Sequence, residues 1–350
     1  DTRRDDKRLI ERLAWMVENA RTPALLTSGS GQTLGAARDG LRKDAGTFII
    51  SATATSPALN SAFVTDRNVW RVAPDDTQQT RVLLKLVQRD FPDAGGVKVG
   101  VAWEETPYGE GLGQPLALAL RGAGYTVQES SWRPGSSGTL PSAVTLVANF
   151  APHATVLITF PPDVRNFVAQ THGEPGATTW LPTHRWYLSD AAKDPEVALG
   201  DAGVLLEGAW GTAPSQGKGS SAAFGPFSAA FQLRFPQRGD PLRYSFTSHS
   251  YDAAWVTMLA AAWASRDDGD ITGPRMESAV AALQRPEVGV PLTPNHWTEL
   301  SNNLSGGFGT NIEGTSSPLE FSLDGGSPSS LYELWRVRDG GIVSETDVSP

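Results

Sequence analysis

The sequence predicts an α/β protein built on doubly wound parallel sheets, and three observations carry that expectation. The first is Val97–Leu120, where Val97, Val99, Val101 and Trp103 form a β-branched, nearly continuous apolar run. Such a run suits a parallel strand buried on both faces. The second is the stretch directly after that run: a polar, turn-forming Glu104–Gly109, then a Leu- and Ala-rich helix from about Gly111 to Gly122. Strand, loop and helix in that order make half of a βαβ unit. The third is that the same alternation recurs along the chain, which predicts two such sheets.

Taken in order, Asp5 can cap a helix over Asp6–Ala20, with Leu9, Ile10, Leu13, Met16 and Val17 on one face. A short strand, Ala24–Leu26, enters the loop Thr27–Gly31, and a helix over Gln32–Arg42 points its N-terminus back at that loop. Backbone N–H groups and the helix dipole there favour an anion such as a carboxylate. Phe48–Ile50 reads as a strand entering the hydroxyl-rich loop Ser51–Pro57, and Val69–Val72 as another. Further β/α alternation comes next: helix Gln78–Gln88, the strand at Val97, then Tyr125–Glu129 with Leu140–Asn149, and Thr155–Thr159 with Pro162–Gln170. Trp186–Leu188 and Val204–Glu207 read as strands. Gly211–Gly219 reads as a linker on its Gly, Ser and Pro content. Three helices are expected near Pro226–Phe235, Ser250–Arg266 and Pro274–Leu283. In the tail, Asn302–Gly314 is loop-like, and Leu319–Phe321 and Leu331–Arg338 resemble strands.

Composition narrows the function. At 350 residues there is room for two domains, and a formal charge of −9 argues against nucleic acid or an anionic membrane surface as partner. The absence of cysteine excludes disulfides, thiolate metal sites and thiol nucleophiles. The sequence opens DTRRDDKR, which points to processing or a boundary upstream.

Catalytic signatures are scarce. There is no Gly-x-Ser-x-Gly elbow and no His-Glu-x-x-His, and Ser215–Lys218 matches Ser-x-x-Lys only inside the expected linker. The five histidines, His153, His172, His184, His249 and His296, lack metal-ligand spacing. No catalytic residue, metal or cofactor is expected. There remains a set of loops at strand ends: Ser28/Ser30, Thr53/Thr55, Glu105/Tyr108 and Ser189/Asp190. Hydroxyls and backbone N–H groups bind a carboxylate, and a buried acid binds an ammonium. Together they suit a zwitterion; singly, each reads equally as a turn. For Asp190 the competing reading is a helix cap leading into Ala191–Lys193, with Lys193 as its partner.

The segments SATATSPALN, VWRVAPDDTQQTRVL, VGVAWEETPYGEGL, WYLSDAAKDP, SYDAAWVTMLAAAW and EGTSSPLEFSLDGG stand in one order. In that order the chain resembles the periplasmic type I solute-binding proteins of ABC importers, the branched-chain amino-acid (Leu/Ile/Val) binding group. The resemblance spans nearly the whole chain. It implies two α/β lobes joined by three crossovers, near Arg71–Pro74, Trp210–Pro214 and Phe321–Ser330, closing on a ligand in a cleft. Lobe 1 is then 1–72 plus 213–322 and lobe 2 is 73–212 plus 323–350. Two departures stand out. Leu26-Thr27 replaces the usual Gly-Pro before the first serine loop, and Asp1 aligns near the end of the family's second strand. The first βα unit is therefore expected to be absent from this sequence.

Six ligand residues carry over. Ser30 matches the family serine that helps hold the ligand carboxylate, and Ala54 and Thr55 match the Ala-Thr pair in the next loop. Tyr108 matches the aromatic of the Tyr-Gly motif. Phe160 stands where a tyrosine is common, and Asp190 where an acid meets the ligand ammonium. Trp103, Trp186 and Phe160 suit either an aliphatic or an aromatic subsite. The implied function is an extracytoplasmic binding protein for an amino-acid-like ligand, delivering to an ABC permease in the membrane. The rival reading is the ligand-binding module of a sensor or receptor. A monomer is expected, periplasmic or extracytoplasmic, with a lipid anchor upstream of Asp1 as one arrangement.

Overall fold

The computed structural model describes residues 6–38, 46–65, 69–135, 138–321, 328 and 330–350. The chain packs into two compact units, Asp1–Asp75 with Gln216–Pro241 and Phe246–Ser329, and Asp76–Ser215 with Leu242–Ser245 and Ser330–Pro350. The chain passes between them after Asp75, Ser215 and Ser329, with a short excursion at Leu242–Ser245.

In chain order, unit 1 begins with α1 (Asp6–Glu18), β1 (Ala24–Thr27), α2 (Ser30–Arg38), β2 (Phe48–Ser51), α3 (Ala58–Thr65) and β3 (Val69–Arg71). Asp5, the expected cap of α1, lies outside the described residues, as does the end of the helix expected to run to Arg42. Unit 2 comes next with α4 (Asp76–Asp90), β4 (Lys98–Glu104), α5 (Pro107–Gly122), β5 (Thr126–Trp132), α6 (Thr139–Phe150), β6 (Ala154–Ile158), α7 (Pro161–Gly173), β7 (Arg185–Leu188), α8 (Gly200–Leu205) and β8 (Trp210–Pro214). Unit 1 resumes with α9 (Phe224–Arg234), α10 (Thr247–Ala264), α11 (Gly273–Glu277), α12 (Ala279–Ala282), β9 (Val290–Pro291), α13 (Trp297–Ser305) and β10 (Ile312–Glu313). Unit 2 is completed by β11 (Tyr332–Arg338) and β12 (Gly341–Val348).

In unit 1, β1, β2 and β3 pair in parallel in that order. Alternation along β2 sorts its side chains between two cores. Phe48 and Ile50 join Trp255, Leu259 and Met276 of α10 and α11, whereas Ile49 joins Leu13, Leu34 and Leu59 of α1, α2 and α3. The sheet is thus covered by helices on both faces, as a parallel sheet requires.

In unit 2 the sheet runs β12-β11-β8-β7-β6-β4-β5. The strands from β4 to β8 are parallel, while β11 is antiparallel to both β8 and β12. Ala102 of β4 packs with Leu140, Val144 and Phe167 of α6 and α7, while Val99, Val101 and Trp103 pack with Leu86, Leu112 and Leu116 of α4 and α5. From β4 the chain moves outward to β5 and then returns to β6 on the other side. The topological switch point of the sheet therefore lies between the carboxyl ends of β4 and β6, where open α/β sheets bind ligands.

Four sequence expectations need correction. Gly211–Gly219 is not a linker: Gly211–Pro214 is buried strand, and a Cβ on Gly211 would sit 2.1 Å from Trp335 Cε2. Its glycine is there because an indole ring lies against the backbone. Val204–Glu207 is not a strand but the end of α8 and its turn, with Val204 exposed. Leu319–Phe321 is not a strand either. Leu319 adopts the left-handed φ of 56°, and Phe321 buries edge-on against Trp70. Asn302–Gly314 is not all loop, since it opens inside α13, where Leu300 and Leu304 bury one turn apart, and contains β10.

Candidate functional site

Unit 1 builds one chemistry from the ends of β1 and β2. Gly29 takes a φ of 72°, which turns the chain so that Ser30 opens α2. Ser30 Oγ accepts the backbone N–H groups of Thr55, at 3.2 Å, and Ser56, at 3.0 Å. A hydroxyl that accepts two N–H groups keeps its own proton to donate. The loop is drawn tight by two further bonds. Gly29 N–H donates to Thr53 Oγ1 at 2.8 Å, and Ala54 N–H to Ser51 Oγ at 3.1 Å. Thr55 is 1% exposed, and its hydroxyl has no partner among the described residues. The N-terminus of α2, the Ser30 hydroxyl and the Thr55 hydroxyl are thus three donor groups in one corner, the pattern a carboxylate needs. Ala54 is buried and contributes backbone only.

Unit 2 builds the opposite chemistry at its switch point. Thr106 caps α5 by accepting the N–H of Gly109 at 3.1 Å, and Pro107 starts the first turn. Gly109 has no room for a side chain, since a Cβ there would meet Glu104 O at 2.0 Å. That close approach seats Tyr108 at the end of β4. Its O–H donates to Asp190 Oδ1 at 2.6 Å, and Ser189 Oγ lies 2.8 Å from the same phenol oxygen. Phe160 precedes Pro161 at the start of α7, its ring 6.0 Å from that of Tyr108 and inclined at 55°. Tyr108, Phe160 and Asp190 therefore converge after β4, β6 and β7.

Asp190 is the unusual member. It is 1% exposed, and burial raises its carboxyl to about 6, against bonds from Tyr108, Gln79 and backbone N–H groups that lower it. The same burial and the adjoining carboxylates push the Tyr108 phenol well above its ordinary range, so it stays a donor. Lys193, the partner a capping role would supply, instead pairs with Glu333 of β11 at 2.5 Å. Ser189 is the residue that precedes the short 3₁₀ turn Asp190–Ala192, and its side chain makes no capping bond. Among the described residues no Lys, Arg or His lies within ion-pair distance of Asp190. A buried carboxylate surrounded only by neutral donors is a ready acceptor for a cationic group.

Two residues outside the expected set prove notable. Gln79 of α4 donates to Thr212 Oγ1 at 3.0 Å and is bonded to Asp190. It stands in VWRVAPDDTQQTRVL, one of the six segments, but a glutamine on a polar helix turn carries no sign of burial by itself. Asp252 of α10 accepts Thr315 N–H and Ser316 N–H, both at 2.7 Å, and Ser316 O–H at 2.6 Å. Burial raises it too, to about 6, and its task is to fold the loop after β10. The remaining candidates are local: Ser28 bonds Gln32, Glu105 bonds Arg133 on the surface, and Ser215 bonds Asp347. Among the described residues no cluster of His, Cys, Asp or Glu is arranged to hold a metal ion.

A profile described as the receptor family ligand binding region matches residues 43–340. No curated protein matches the chain. Among solved structures, the leucine binding protein LivK of Thermotoga maritima is similar over 100% of this chain and 86% of its own, at 17% identity and a TM-score of 0.77. LivJ of Streptococcus pneumoniae, in complex with isoleucine, is similar over 100% and 86%, at 14% identity and a TM-score of 0.71. An ABC-transporter solute-binding protein of R. palustris, in complex with benzoate, is similar over 99% and 82%, at 15% identity and a TM-score of 0.69. At these identities the likeness establishes the fold, that of type I periplasmic binding proteins.

Proposed function

The chain belongs to the receptor family whose ligand-binding region it matches, and from that membership we propose that it is an extracytoplasmic solute-binding protein for an amino-acid-like ligand, serving an ABC importer. The observation that carries the reading is Asp190, a buried carboxylate held by neutral donors with no ion-pair partner among the described residues. A ligand ammonium supplies the missing countercharge. The hydroxyls of Ser30 and Thr55 and the first turn of α2 supply donors for the ligand carboxylate. An α-amino acid carries both groups. LivK and LivJ, by their names and contents, take leucine and isoleucine, which supports the same class of ligand.

Binding, not catalysis, is the work of this arrangement. The partners are the small ligand and a membrane permease, with the protein acting as a monomer, anchored by lipid or free. The benzoate-bound relative favours a second reading, a carboxylate without an amine. The sensor or receptor module is distinguished by its downstream partner, not by its ligand chemistry.

A thermal-shift screen against amino acids and against small carboxylates tests the proposal. A ligand at 100 times its dissociation constant adds about 2.7 kcal/mol. Asp190→Asn keeps size and removes charge. It is expected to cost ~1.5–3 kcal/mol of affinity for the amino acid and nothing for a simple carboxylate. Equal binding of an amino acid by both forms removes the ammonium role.

A further inference from the structure

We infer that Gln79 is a second acceptor for the ligand amine, so that unit 2 selects ligands whose ammonium has at least two N–H bonds to give. The inference rests on the reading of Asp190 as the ammonium acceptor.

Gln79 is fully buried, and the chemistry of its neighbours fixes its orientation. Its Nε2 lies 3.3 Å from Thr212 O and 3.0 Å from Thr212 Oγ1, and the same amide bonds the Asp190 carboxylate. A carbonyl oxygen and a carboxylate only accept, so the nitrogen must face them and the amide oxygen must face away. That oxygen is buried and has no donor among the described residues. Buried amide oxygens are almost always paired, and an unpaired one is costly. Two acceptors joined through one amide thus want donors at the same corner: Asp190, which also wants positive charge, and Gln79 Oε1, which wants only a proton. A primary ammonium offers three N–H bonds and the charge. A hydroxyl fills one acceptor and neutralises nothing, and a dimethylated amine has one N–H for two acceptors.

The test uses the full chain and isothermal titration with the twenty common L-amino acids. For the tightest binder, its N,N-dimethyl and α-hydroxy counterparts are titrated as well. The parent protein is expected to prefer the primary amine by at least tenfold over the dimethyl form. Gln79→Met, similar in volume and without polar atoms, is expected to lose about tenfold for the primary amine and to narrow that preference. Thr212→Val disturbs the anchoring of the amide nitrogen and leaves Oε1 in place, so it is expected to preserve the preference. A parent that binds both amines alike overturns the inference even if the Gln79 variant does not fold. So does a folded Gln79→Met that keeps the full preference, since the discrimination is then steric and Gln79 only braces Thr212. A parent that binds no amino acid overturns the underlying reading instead, and this inference with it.

Discussion

Lys193 Nζ lies 2.5 Å from Glu333 Oε2, while Asp190, in the same loop, forms no ion pair among the described residues. Both partners are almost fully buried, one in the loop after β7 and the other on β11. Removing one charge of a buried pair strands the other. Lys193→Met alone is therefore expected to destabilise the fold by about 3–5 kcal/mol, and Glu333→Leu alone by a similar amount. The double variant should recover most of that loss in urea unfolding. Additive single losses would show that the two side chains stand apart.

Thr55 makes a sharper test of unit 1 than Ser30. Its hydroxyl is buried and has no partner among the described residues, so Thr55→Val removes a polar atom without breaking a hydrogen bond seen there. Thermal melts of the free protein should be unchanged or slightly raised, while affinity for a carboxylate ligand falls by ~1–3 kcal/mol. Ser30→Ala should lower both, because it also frees the N–H groups of Thr55 and Ser56. A Thr55→Val variant with full affinity would exclude the threonine from binding.

The pH dependence arises from two raised carboxyls. Asp190 and Asp252 move from 3.8 to about 6 on folding, so between those values the folded chain holds protons that the unfolded chain has released. Their contribution to stability is complete below pH 3.8 and is lost as pH rises through about 6. Melting temperatures of Asp190→Asn and Asp252→Asn should accordingly vary less between pH 4 and 7 than those of the parent. Ligand affinity runs the other way. An ammonium requires ionised Asp190, so affinity for an amino acid should rise about tenfold from pH 5 to pH 7. A carboxylate lacking an amine should show no such gain.

Gly211 separates a strand from a linker by a single methyl group. Gly211→Ala drives a Cβ into the Trp335 indole and is expected to cost at least ~1–3 kcal/mol. Gly225→Ala in α9, where a Cβ meets nothing within 4 Å, should be neutral or stabilising by up to about 1 kcal/mol. Chemical unfolding of the two variants side by side decides the matter. Equal stabilities would restore the linker.

How much the residues disclose depends on which force places them. The strand at Val97 is legible because both of its faces are buried, and its apolar run records that directly. β8 is hidden because Gly211 answers to a ring from β11, a partner far along the chain. β12 is hidden for the opposite reason: most of it is exposed, and its ladder to β11 leaves no apolar pattern. At the site, Tyr108 and Asp190 stand out as polar residues at the ends of apolar runs. Gln79 does not, because its bonding partners Thr212 and Asp190 arrive from β8 and from the turn after β7, far along the chain.

The place of β11 between β8 and β12 has a consequence for how the protein is made. A ribosome finishes β8 long before it reaches Tyr332, and every residue of Gln216–Pro241 and Phe246–Ser329 is synthesised in between. A sheet formed in that interval would end in an open β8 edge, with the Gly211 face uncovered and Lys193 lacking its Glu333. An unpaired edge of this kind templates association with other chains. The growing polypeptide is therefore expected to pass through a period of vulnerability that β11 and β12 bring to a close. Delaying the formation of β8 until β11 and β12 emerge is expected to suppress that association.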